Sequence, residues 1–68
     1  MNEEEQVFVG HGIAILNRQG RLFVQYDAGG IATRWVEAEI SDEEARKAQQ
    51  SERAAYEVLL KVQAREQR

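Results

Sequence analysis

From Ser41 to Arg65 the chain reads SDEEARKAQQSERAAYEVLLKVQAR, without a single glycine or proline. Ser41 followed three residues later by Glu44 is a capping-box pattern, in which each side chain satisfies a backbone N–H that the first helical turn leaves unpaired. Asp42, Glu43 and Glu44 put negative charge where the helix dipole is positive, and Lys61, Arg65 and Arg68 put positive charge at the other end. Ala45, Ala48, Ala55, Tyr56, Leu59 and Val62 recur at three- and four-residue steps, which gathers them on one stripe. The pattern predicts one helix over 41–65. Its first half offers the core only alanines, so that half either docks closely or stays partly solvated. Such a helix would run about 37 Å against about 20 Å for a six-residue strand. The overhang either frays, as expected after Arg65, or is covered by a second copy, since closed symmetric dimers are the commonest assemblies.

The preceding residues read as strands. Residues 1–6 form an acidic lead expected to be mobile. Val7, Phe8 and Val9 suit a short strand, with a bend or bulge where Gly10 and Gly12 flank His11. Stretches 13–17, 21–26 and 31–40 are rich in β-branched and aromatic residues. Asn17-Arg18-Gln19-Gly20 and Asp27-Ala28-Gly29-Gly30 both open on Asn or Asp and close on Gly, which suits a three-residue hairpin loop ending in a left-handed glycine. Turns of that kind set Asn17 opposite Arg21 and Asp27 opposite Ile31. Phe23 then faces Trp35, Gln25 faces Thr33 and Arg21 faces Glu37. An aromatic, a polar and an opposite-charge pair thus fall together, and a shift of one residue loses all of them.

This register sorts the meander into two faces. One carries Ala14, Leu16, Leu22, Val24, Tyr26, Val36, Ala38 and Ile40, with Arg34 toward one end, and is assigned to the helix. The other carries Ile13, Ile15, Phe23 and Trp35, rimmed by Arg21, Gln25, Thr33 and Glu37. One helix cannot cover both. Large exposed apolar patches are usually interaction sites, and aromatic anchors inside a polar rim are the anatomy of binding hot spots. The competing expectation is that the N-terminal segment folds across this second face.

At 68 residues the chain is a single small domain, 1–68. A core of that size leaves roughly 3–5 kcal/mol of net stability, and without cysteine no disulfide or thiolate metal site adds to it. No apolar run approaches the about 20 residues of a membrane span, and the start of the chain lacks the basic end of a secretory signal, so a cytoplasmic location is expected. A net charge of −3 disfavours a general nucleic-acid binder.

Catalytic chemistry has little to build on. His11 is the sole histidine and there is no cysteine, so histidine-based metal ligation or a Ser-His-acid triad has little to build from. Gly10-His11-Gly12 lacks the spacing and following helix of a phosphate loop. Glu37 and Glu39 share a strand face without an evident cleft, and they read as a solvated edge. No catalytic residue, metal or cofactor is expected.

The sequence therefore predicts an α+β domain, an antiparallel meander of three or four strands packed on one long C-terminal helix. It predicts a non-enzymatic protein-interaction module of accessory, adaptor or inhibitor kind, homodimeric and without membrane contact. Ile13, Ile15, Phe23 and Trp35 are its expected anchors, with Arg21, Gln25, Thr33 and Glu37 as rim. The alternative is a small single-stranded nucleic-acid binder in which Phe23 and Trp35 stack bases beside Arg18 and Arg21.

Overall fold

The computed structural model describes residues 4–29, 31–32 and 34–66. Four strands, β1 (Glu4–Gly10), β2 (Ile13–Arg18), β3 (Arg21–Asp27) and β4 (Trp35–Ile40), precede two helices, α1 (Asp42–Ala48) and α2 (Glu52–Glu66). The strands form one antiparallel sheet in chain order, so the fold is the expected α+β meander with its fourth strand present. That strand begins at Glu4, inside the segment expected to be a mobile lead. It pairs beside β2 instead of crossing the sheet.

Two hairpins close on two-residue turns: one lies where a bend was expected around His11, and the other is tighter than the Asn-to-Gly pattern suggests. His11 and Gly12 (φ 53° and 79°) join β1 to β2, and Gln19 and Gly20 (φ 56° and 83°) join β2 to β3. Positive φ at both central residues is the signature of a two-residue turn whose twist matches that of the strands. Asn17 still contributes, but its Oδ1 accepts from the Gly20 N–H at 2.9 Å from one residue further back in the strand. The loop is thus one residue shorter than expected, with Arg18 opposite Arg21 and Ile15 opposite Val24. A one-residue slip exchanges the faces of a strand. Ile13 and Ile15 accordingly join the helix-facing side, and Ala14 and Leu16 leave it.

The β3–β4 connection errs in the other direction. β4 begins only at Trp35, so this connection is longer than expected, and the Asp27 carboxylate accepts from the N–H groups of Gly29 (2.8 Å) and Arg34 (2.9 Å) within it. These two bonds hold the Asp27 carboxyl below its ordinary pKa, Arg34 contributing most. A Cβ on Gly29 would collide with the Ala32 carbonyl, so the closure needs glycine there. Relative to the expected register β4 is displaced by four residues, setting Phe23 opposite Glu39 and Gln25 opposite Glu37. Because four is even, every β4 side chain keeps its expected face.

The helix also differs. Its start is as expected: Ser41 Oγ accepts from the Glu44 N–H at 3.1 Å, and Glu44 accepts from the Ser41 N–H at 2.9 Å. The run then breaks at 49–51. The N–H groups of Gln49 and Gln50 tighten back onto Arg46 and Lys47, and Ser51 restarts the chain by accepting from the Ala54 N–H at 3.1 Å. Two ion pairs fold α2 back on α1, Lys47–Glu57 at 2.9 Å and Arg65–Glu44 at 2.7 Å. The break removes the long overhang that had suggested a covering copy.

The core lies between one sheet face and the two helices. Ile13, Ile15, Val24, Tyr26, Ala38 and Ile40 meet Ala45, Ala48, Ala55, Val58 and Val62, with Phe8, Leu22, Val36 and Leu59 at its margin. Ala45 and Ala48 are buried, so the alanine half of the helical run docks closely. Tyr56, expected on the buried stripe, points outward, and Ala54 and Val58 pack inward instead.

Candidate docking edge of the sheet

The face turned away from the helices is set by the observed pairing: Glu4 beside Arg18, Gln6 beside Leu16, then Leu16–Phe23–Glu39 and Ala14–Gln25–Glu37 across the sheet. Trp35 stands on the same side, next to Asp27. This face has its own cover. The Arg18 guanidinium lies 4.9 Å from the centre of the Phe23 ring. It is held on one side by Glu4, through Nε at 3.1 Å and Nη2 at 2.8 Å, and on the other by both Glu37 oxygens, at 2.9 and 2.8 Å. A planar guanidinium suits this placement because it can stack on an aromatic ring while its edge bonds two carboxylates. Gln25 donates to Glu37 at 3.1 Å, and Arg21 pairs in a fork with Glu39 at 3.0 and 2.8 Å.

The expected site residues therefore separate. Ile13 and Ile15 belong to the core and cannot anchor a partner, because the shorter turn placed them beneath the helices. Phe23 is half-buried beneath Arg18 and is opposite Glu39, not Trp35. Arg21, Gln25 and Glu37 do share one face, bonded within the sheet's own network. Thr33 lies outside the described residues. Trp35 alone among the four anchors is solvent-exposed, at 62%. Sequence reasoning missed Arg18 as a lid; reading Gln19-Gly20 as a two-residue turn would have brought Arg18 onto the face of Phe23 and Glu37.

Two carboxylates of this face, Glu37 and Glu39, titrate low. The Arg18 hydrogen bonds pull Glu37 below its ordinary range against the opposing effect of burial, and the Arg21 fork does the same for Glu39. A carboxylate with a lower pKa folded than unfolded contributes stability above the unfolded value, about 4.3, and loses it as pH falls through the folded value. Thermal midpoints are therefore expected to hold from neutrality to about pH 5 and to fall below about pH 4. Arg18→Gln should have a lower midpoint at pH 7 and a shallower decline in acid, which melts followed by circular dichroism across that range would check. Equal acid sensitivity in the variant would remove the network as a cause.

At the sheet's two edges the situations differ. β1 has a bulge at Val7, where the register shifts between Gln6 and Phe8, and such irregularities discourage edge-to-edge pairing. β4 runs from Trp35 to Ile40 in unbroken register without glycine or proline. Ile31 is fully exposed in the loop that leads to it. Among the described residues, no group of three or more acidic, histidine or cysteine side chains could hold a metal ion, and no helix is long and apolar enough to cross a membrane. Compared with known protein families, curated proteins and solved structures, the chain matches none.

Proposed function

We propose that the protein is a non-enzymatic docking module, of accessory, adaptor or inhibitor kind, that engages another protein through the Trp35 end of β4. The observation that supports this reading is the exposure of Trp35 at the head of a regular edge strand, on a face whose other large aromatic is covered by Arg18. Tryptophan contributes large apolar area at few rotatable bonds and is enriched among residues that dominate binding energy. The nucleic-acid alternative has less support: Arg18 and Arg21 are each held by glutamates, and Phe23 already carries a guanidinium on its ring.

Trp35→Ala is expected to weaken capture of the partner by the immobilised protein by at least about 2 kcal/mol, roughly 30-fold. Its melting curve should stay close to that of the wild type, as for other exposed side chains. Binding isotherms and melts on the same preparations check both. Undiminished binding would sink this reading.

Self-association has one observation in its favour. Tyr56 and Leu60, four residues apart, are exposed at 61% and 47% on α2 and could seat a second copy. Light scattering on the wild type and on Tyr56→Ala separates a helix-mediated dimer from docking at Trp35.

A further inference from the structure

The pairing of β4 with β3 determines which of its backbone groups are free. Beyond the strand ends, the Ala28 N–H donates to the Arg34 carbonyl at 2.8 Å. In an antiparallel ladder hydrogen-bonded pairs recur at every second residue. The bonded pairs are then Tyr26–Val36, Val24–Ala38 and Leu22–Ile40, so the N–H and C=O groups of Trp35, Glu37 and Glu39 point away from β3. The Glu39 carbonyl agrees with this parity, because it accepts from Arg65 Nη2 at 3.3 Å from outside the ladder. Arg65 thereby closes one end of the edge, and among the described residues no bond engages the outward backbone groups of Trp35 and Glu37 or the Glu39 N–H.

We propose that this open edge takes an extended basic segment of another protein as a fifth strand. The proposal rests on the docking reading at Trp35 and specifies the partner's chemistry. A strand added here antiparallel to β4 would exchange main-chain bonds with the outward residues and set its own side chains beside theirs on the Arg18 face. Those neighbours are Trp35, Glu37 and Glu39, with Asp42 and Glu43 exposed just beyond the strand. The Glu37 and Glu39 side chains remain 31% and 47% exposed despite their arginine bonds. Lysine or arginine at alternate positions matches this row, with an apolar residue against Trp35. The intervening positions of the added strand fall beside Val36 and Ala38 and suit small aliphatic residues. A second copy fits poorly. Twofold pairing of β4 with itself through all three outward residues sets Glu37 against Glu37, and like charges directly opposite are destabilising.

The test titrates the full chain with a short capped peptide alternating lysine with valine, with leucine in place of the last lysine to meet Trp35, reading backbone amide shifts and Trp35 fluorescence. Shifts are expected to centre on the Trp35, Glu37 and Glu39 amides. Replacing the lysines by glutamates should weaken binding at least about tenfold. Methylating the lysine amides, which would face the edge, should abolish binding, whereas methylating the valine amides should leave it within about threefold. Equal binding of the lysine- and valine-methylated peptides would overturn strand addition while leaving docking at Trp35 intact. Peptide binding unaffected by Trp35→Ala but lost on lysine methylation would instead uphold the edge and overturn the docking reading. A dimer of the protein alone, dissolved by Glu37→Pro but not by Glu37→Gln, would give the edge to a second copy and end the proposal. Absence of binding by the lysine peptide, or tighter binding by its glutamate counterpart, would end it too.

Discussion

Ile15→Ala is expected to leave the protein largely unfolded at room temperature. Ile15 is fully buried, pairs across the sheet with Val24, which is equally enclosed, and packs within the cluster that joins the sheet to both helices. Truncating a buried isoleucine to alanine removes apolar transfer energy and leaves a cavity, at a cost of about 2–5 kcal/mol. A single small core without disulfides supplies only roughly 3–5 kcal/mol in total. The loss therefore matches the whole margin of stability. Urea unfolding followed by circular dichroism at 222 nm checks it: the variant should show little helical signal at zero denaturant or a midpoint close to it. A cooperative transition within about 1 kcal/mol of the wild type would place Ile15 outside the core, on the face where an Ile15–Phe23 pairing would have put it.

That contrast shows how far the fold could be read from the residues alone. The strands, the α+β arrangement and the cap at Ser41 all follow from local signals: β-branched runs, turn residues, and a serine three positions before a glutamate. The helical break does not, because Gln49 and Gln50 are adequate helix formers and only Ser51 followed by Glu52 hints at a fresh start. Face assignment depended on loop length to a single residue. Gln19 carries no sequence preference for positive φ, so the two-residue turn left no local trace, and β2 came out reversed. β4 survived a larger error because its displacement was even. Trp35 therefore falls on the expected face opposite a different neighbour, and the Arg18 lid exists only in the register that the two-residue turn sets.

The register also fixes what the free sheet offers to solvent, and there the expected effect spans orders of magnitude. Amides bonded within a ladder exchange only when the structure opens, at a free energy approaching that of global unfolding for core strands. With roughly 3–5 kcal/mol available, the bonded amides of Val36, Ala38 and Ile40 should exchange about two to four orders of magnitude slower than the outward amides of Trp35, Glu37 and Glu39. Arg65 does not alter this, since its bond is to the Glu39 carbonyl and leaves the N–H open. Residue-resolved hydrogen exchange on the free protein is the most direct measurement. An alternation of slow and fast amides along β4, with Trp35 and Glu37 among the fast, is the predicted result. Protection of Trp35 and Glu37 equal to that of their neighbours would show the edge already covered, and would contradict docking there.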